Sequence, residues 1–495
     1  MKKIFIPILA LMVSLTSCQD YLNINTDPNS PSDENITADM VLPGVEMNLA
    51  TSYGNFFRII GGYYSQHYAH NFGTSNYLDF SRFEMSATRS SSNYTQLNTR
   101  VLKNLEEMRI AAESQEDWGT YLVATTLRVF TYQALVDAYG EVPYSEALNI
   151  AIISPKFDEG ETIYDGILAE LDDALSKVSS TDKVPVNFLF GSATAEPWIQ
   201  FANALKLKVL MRLSDVRNVS SELSSLIAED NFPLADVSWD DCWVDEKGKA
   251  SPLYQEETAT YFGSTQVNLV LNIAYMRTMQ ESNDKRLQAF FLPNNEDGIY
   301  TGGVSGTNFS TSTDYRDPYF CKPAFTYDMP VYLITVSEVE FFLAEYHARY
   351  GTASDAEQHY KNAIDASFAT AGISGADQIY NVAYPWNSAD YKKLIGLQKW
   401  VALGGVNNFE AWCELRRLKF PAMGSVTGGQ LYNVGSTVYQ PELYQPGTLY
   451  TPIDYNTNLG AGKVLQRLRY AESSTSRNSN APATKPDSEP VFWAK

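Results

Sequence analysis

Apolar positions recur at steps of three and four along most of the chain, and one long polar, glycine-rich region interrupts them. From Pro197, PWIQFANALKLKVLMRLSDV sets Trp198, Phe201, Leu205, Val209 and Leu213 on one side of a 3.6-residue period. Pro197 stands just inside the predicted start, where a helix tolerates proline. ETIYDGILAELDDALSKV (161–178) repeats the pattern with Ile163, Ile167, Leu171 and Leu175. YLVATTLRVFTYQALVDAYGEVPYSEAL (121–148) predicts helical pieces around a turn punctuated by Gly140 and Pro143.

The clearest hairpin is VSEVEFFLAEYHARYGTASDAEQHYKNAIDASF (336–368), with Gly351 ending its first helix. Leu343-Ala344, Ala356, Tyr360 and Ala363 match the small and large positions of a tetratricopeptide repeat, where alanines let two helices approach closely. The acids Glu338, Glu340 and Glu345 read as a solvated side plus a packing position. Residues 231–330 are rich in Gly, Ser, Asp and aromatics and read as long loops with a few short strands. Loops of that length are functional or disordered, and the aromatics argue against disorder. The tail from about 471 is polar and is expected on the surface. No linker divides the chain, so residues 41–495 read as one domain.

The start of the chain changes the picture. MKKIFIPILALMVSLTSCQD has two lysines, an apolar run from Ile4 to Leu15, small residues and then Cys18. That is a secretory leader (1–17), too short to span a bilayer, which takes roughly 20 apolar residues. Leu15-Thr16-Ser17-Cys18 resembles a bacterial lipobox, which implies Cys18 acylated on sulfur and then on its new amino terminus. Residues 18–40, rich in Asn, Asp, Pro and Ser, would be the lipidated tether and arm. The formal net charge is −21, and losing Lys2 and Lys3 deepens it by two. Such a chain is repelled by nucleic acid and offers anionic lipid no basic patch. Cys242, Cys321 and Cys413 lack metal-ligand spacing and read as buried thiols.

Several motifs occur in order: the lipobox, YGEVPYSEAL, WIQFANALKLKVLMRLSD, DKRLQAFF, VSEVEFFLAEYHARYG and QKWVALGGVNNFEAWCELRRLKFP. Together they resemble the SusD/RagB family of outer-membrane nutrient-binding lipoproteins, from Cys18 to about residue 470. The arm's D-P-N-S-P and the E-A-W-x-E-x-R-R ending point to a branch diverged from the starch-binding prototype. Lys419-Phe420 and Asp284-Lys285-Arg286-Leu287 depart from the usual pattern and bear on subfamily placement. The resemblance implies a mainly α fold of tetratricopeptide-like helical hairpins with an irregular, loop-rich half packed on them. It also implies a lipid anchor in the outer membrane facing the cell exterior. The implied partner is a SusC-like TonB-dependent transporter, over which the lipoprotein closes as a lid. The implied ligand is an oligosaccharide, with a peptide as the alternative, and there is no chemical step.

The residues themselves are weighed against that reading. GGYYSQHYAHNF (61–72) holds two of the chain's four histidines, His67 and His70, among aromatics. On a helix they could share one side, but no third ligand of recognisable spacing follows, so no metal is expected there. NNEDG (294–298) fails the calcium-loop spacing, and the sequence leaves room for a structural calcium elsewhere. No H-E-x-x-H, G-x-S-x-G, phosphate-loop or dinucleotide motif occurs. A surface glycosidase needs two placed carboxylates, and among 58 acids chance pairs carry no signal. Glycan binding needs aromatic rings for sugar C–H groups and directional polar side chains for hydroxyls. Three segments offer both: Tyr63, Tyr64, His67, Phe72, Asn76 and Tyr77; Trp239 and Trp243; Tyr315 and Tyr319. The resemblance places the binding aromatics by position in the first. Core packing is the alternative for each ring, and the expected role of Trp198, Trp400 and Trp412. A structural surface protein without a small ligand is the remaining alternative.

Overall fold

The computed structural model describes residues 36–71, 74, 76–258, 261, 267–294, 298–306, 320–433 and 438–495. Cys18, Phe72, Tyr315 and Tyr319 lie outside the described residues. The chain is mainly helical, and its first described element is a rod. Helix α1 (Ala38–Thr51) passes through a π-helical segment, Ser52–Phe57, into α2 (Arg58–Tyr64) with helical dihedrals at both junctions. The wide turn holds Gly54, where a Cβ would stand 2.6 Å from a Val331 methyl. A neighbouring strand pressed against the helix is a physical reason for the widening.

A short strand, β1 (Tyr68–His70), follows the rod, and the helical scaffold then begins with α3 (Lys103–Ser114), α4 (Trp118–Tyr139), α5 (Gly160–Lys177), α6 (Glu196–Leu213) and α7 (Ser220–Ala228). Asp117 caps α4 by accepting from Thr120 N–H at 3.2 Å, and every residue from Gly119 to Tyr139 is buried. A helix buried all round lies at the centre of the core, and α3 and α5 cover it. In α5 the buried stripe contains Ile163, Ile167 and Leu171, as the periodicity predicts, while Leu175 is only half-buried.

The loop-rich half contributes β2 (Val237–Trp239), α8 (Pro252–Glu257), β3 (Leu269–Leu271) and β4 (Val331–Ile334). β1 pairs antiparallel with β3, Tyr68 opposite Leu271, and β2 pairs antiparallel with β4. The predicted hairpin is α9 (Val336–Tyr350) and α10 (Ala353–Thr370). A reciprocal cap opens α9: Glu338 N–H donates to Thr335 Oγ1, and Thr335 N–H to Glu338 Oε2, both at 3.1 Å. Ala344, Ala356, Ala363 and Tyr360 are fully buried between the two helices. The scaffold closes with α11 (Tyr391–Leu403) and α12 (Asn408–Leu418).

Charge inside this scaffold departs from the sequence expectation. Glu338 and Glu345 are buried, not solvated, and only Glu340 stays near solvent, beside His359 at 2.8 Å. Arg417 holds Glu345 at 2.6 Å and Glu414 at 2.7 Å, Lys399 holds Glu414 at 2.9 Å, and Lys208 holds Glu338 at 3.2 Å. Arg212 bridges Asp137 on α4 and Glu410 on α12. Buried charges persist only when paired and hydrogen-bonded, so this network ties five helices, α4, α6, α9, α11 and α12, to one register. The polar tail also turns inward at its end: Trp493 is buried, and its Nε1–H donates to Asp137 at 2.8 Å.

Candidate functional site

The rod delivers the first candidate segment into the core. At Gly61 a Cβ would lie 2.3 Å from the Asn408 carbonyl oxygen, and at Gly62 one would lie 2.2 Å from the Tyr68 ring. Gly61 thus lets α2 meet the α12 backbone, and Gly62 makes room for the Tyr68 ring of β1. The helix stops at Tyr64, and Gln66 takes a left-handed turn at φ 56°. His67 and His70 are therefore not on a helix; the turn sends them into β1 and the residues before it.

Tyr63, Tyr64 and His67 are fully buried. Tyr64 packs against Phe83 and Trp412, with ring centroids at 5.8 and 5.4 Å. The His67 ring bonds Ser65 Oγ and Asn408 Nδ2 at 2.9 Å each through Nδ1, and the Trp400 carbonyl at 3.0 Å through Nε2. Burial pushes its pKa down to about 3, so it is neutral. His70 lies against the Asn76 carbonyl at 3.0 Å, and burial pushes it to about 4. The sequence expectation put these side chains in a ligand-facing wall, and the structure puts them inside the core. Glycine pairs and a left-handed residue decide that, not periodicity. Trp239 is equally buried, its Nε1–H donating to Glu46 at 3.3 Å. No group of three or more His, Cys, Asp or Glu able to hold a metal occurs among the described residues.

The same segments reach solvent further along. Asn76 is half-buried, and Tyr77 takes a left-handed conformation at φ 63°. The Tyr77 ring stacks on Phe80 at 5.5 Å and 11°, and the Arg89 guanidinium lies 4.6 Å from the Phe80 centroid. Asp79 holds Arg89 at 3.0 Å. The Tyr77 hydroxyl donates to Glu256 Oε1 at 2.6 Å, and burial together with that carboxylate raises its pKa, which keeps it a donor. Glu256 is exposed on α8. Its neighbour Glu257 is buried, accepting from Asn268 N–H at 2.8 Å and Leu269 N–H at 3.1 Å, and desolvation raises it to about 7.

On the other flank of α8, Tyr254 and Tyr261 are half-buried, with ring centroids 6.4 Å apart. The Tyr261 hydroxyl donates to the exposed Asp245, which pushes its pKa up to about 12. Trp243 is half-buried in the same loop, with its Nε1–H on the Trp239 carbonyl at 2.8 Å. α8 thus carries two separate pairs, Glu256 with Tyr77 and Tyr254 with Tyr261, which together make up the α8 strip. Sequence reading missed Phe80, Arg89, Asp245, Tyr254, Glu256 and Tyr261. Only Tyr77 and Phe80, three apart, left a periodic signal. Chemically the strip offers aromatic edges beside carboxylates that can accept hydroxyl protons. A groove of about 470 Å³ lies elsewhere, between α5, α6 and α7, lined by Asp165, Asp172, Lys206, Arg217 and Glu222. No aromatic lines it, and its cations are spent on its own acids, Lys206 on Asp172 and Arg217 on Asp165. It therefore lacks the chemistry of the α8 strip.

Solved structures share the fold. A SusD homologue from Bacteroides uniformis matches at 18% identity and TM-score 0.69, covering 91% of this chain and 99% of that one. A chitin-binding SusD homologue from Flavobacterium johnsoniae matches at 18% and 0.68, over 91% and 99%. A SusD homologue from Bacteroides fragilis matches at 17% and 0.67, over 91% and 98%. No curated protein matches the chain. The profile of a SusD-like family, described as starch-binding and associating with the outer membrane, matches residues 28–437, and the chain belongs to that family.

Proposed function

We propose that the protein is a cell-surface lipoprotein that captures an oligosaccharide on the strip across α8 and passes it, as a lid, to a SusC-like TonB-dependent transporter. Acylated Cys18 holds it in the outer membrane. The observation that carries the glycan reading is that the hydroxyls of buried Tyr77 and half-buried Tyr261 donate to the exposed carboxylates Glu256 and Asp245, with half-buried Tyr254 beside Tyr261. Rings accept sugar C–H groups, and carboxylates accept hydroxyl protons. Asn76 and Trp243 stand at the margins of the same surface. The family description and the chitin-binding relative support a polysaccharide fragment as the ligand class.

A glycosidase would need an acid that reaches its substrate. Glu257 has the raised pKa of such an acid, but it is buried and engaged by backbone N–H groups. That favours binding without turnover. The test is calorimetric titration of the mature chain with malto- and chito-oligosaccharides and with short peptides. Saturable heat from a glycan, with the glycan recovered intact, is expected. Heat from peptides alone moves the ligand to the peptide class, and cleaved glycan restores the enzyme.

A further inference from the structure

The amino-terminal end of the rod carries apolar side chains that nothing in the fold covers. Ile36 is 47% exposed, Met40 66%, Val186 66% and Phe188 41%. Hydrogen bonds gather them on one surface. Ile36 precedes the helix, whose Thr37 cap is extended, Met40 lies in the first turn, and Val186 N–H donates to Asp39 Oδ1 at 2.7 Å. Phe188 and Leu189 N–H donate to the Glu46 carboxylate at 2.8 and 3.2 Å. The 185–189 segment therefore runs along α1 with Pro185, Asn187 and Leu189 buried and Val186 and Phe188 turned outward. Val186 and Phe188 are thus large apolar side chains left outside a segment whose Pro185 and Leu189 are buried.

The chain from Cys18 arrives at the same end. Residues 19–35 can span at most about 60 Å. Resting on the reading that Cys18 is acylated, the Ile36 end stays close to the bilayer. Contacts too weak to bind from solution then act at high effective concentration. We propose that Ile36, Met40, Val186 and Phe188 form a foot that rests in the headgroup–acyl boundary of the outer leaflet. The contact is apolar, since the acidic chain brings no electrostatic attraction to anionic lipid.

The foot sets orientation. The Tyr77 and Phe80 rings lie 6.4 Å from Tyr63 and Phe56, in the second half of the rod. At about 1.5 Å per residue that is roughly 25–35 Å along the rod from Met40. With the foot seated, the α8 strip stands clear of the headgroups, in a posture suited to capture; closing as a lid lifts the foot.

The test uses the full acylated chain on phosphatidylcholine vesicles with brominated acyl chains. An environment-sensitive fluorophore is attached at Val186→Cys, or at Ile150→Cys, a position 101% exposed, in a Cys242→Ser background. Bromine quenching at least threefold stronger at 186 than at 150 is expected, and Met40→Asp/Phe188→Asp should abolish it while the protein still floats with the vesicles. Equal quenching at the two sites in a floating protein overturns the foot and leaves the anchor intact. Failure of the parent chain to float, judged against Cys18→Ser, overturns the anchor and the foot with it. Protection at 186 only when a transporter is added makes the occupant a protein and also overturns the foot.

Discussion

Two groups of aromatics, Tyr63 to Tyr68 on one side and Tyr77, Phe80, Tyr254 and Tyr261 on the other, use the same residue types to opposite ends. In the first the rings are buried, and the polar tips of Tyr63 and Tyr64 meet backbone carbonyls, the Asn268 oxygen at 3.4 Å and the Glu84 oxygen at 3.5 Å. In the second the tips of Tyr77 and Tyr261 meet carboxylates that themselves face solvent. A carbonyl inside the core is a fixed partner. A surface carboxylate can exchange its partner for a ligand hydroxyl. Both places use aromatic rings, and the partner of each polar tip is what separates packing from recognition.

The largest effect should come from the buried group. Tyr64→Ala removes a ring held between Phe83 and Trp412 and should cost about 3–5 kcal/mol of stability, read as a lower urea midpoint. Affinity per folded molecule should be unchanged. A folded, fully stable Tyr64→Ala protein with weakened glycan binding would reverse the comparison.

A second test separates the buried groups by pH. Glu46 and Glu257 are raised by desolvation to about 7 when folded, against about 4.5 unfolded. The folded state then holds more protons, so their stability contribution is complete below about pH 4.5 and is lost as pH rises through 7. His67 and His70 are lowered to about 3 and 4, so their contribution is present above pH 6.5 and lost as pH falls toward those values. Glu46→Gln should remove on the order of 2 kcal/mol of the loss between pH 4.5 and 7. Urea midpoints at several pH values read it, and an unchanged slope would show Glu46 ionising normally.

Smaller effects belong to the strip. Tyr254→Ala and Tyr261→Ala should each weaken glycan binding about tenfold while the melting temperature holds. Losing neither affinity sinks the placement of the site. Tyr261→Phe, which keeps the ring and drops the bond to Asp245, should weaken binding by only about twofold to threefold. A Tyr261→Phe loss as large as Tyr261→Ala would make the hydroxyl, not the ring, the contact.

Legibility in the sequence followed the range of the interaction. The stripes around Trp198 and Ile163 and the small-residue seam of 343–363 were readable because helical spacing is local. Trp198, Trp400 and Trp412 are in the core, as their motifs implied. The sequence pattern allows one packing position among Glu338, Glu340 and Glu345, and the structure buries two, because the cations Lys208 and Arg417 come from helices far along the chain. Trp493 was hidden in a polar tail because its partner, Asp137, lies at the other end of the sequence. Tyr254, Tyr261 and Glu256 sit in a region of no periodicity and so gave no signal.

By itself the sequence determined the helical scaffold, its hairpins and its family, because period, caps and motif order are properties of neighbouring residues. Only the tertiary structure decided which aromatics see solvent. The close approach of Gly61 to the α12 backbone and of Gly62 to the Tyr68 ring, with the left-handed turn at Gln66, turns the most aromatic stretch inward. Tyr77, a few residues later, comes to lie beside Glu256, which is distant in sequence and adjacent in space.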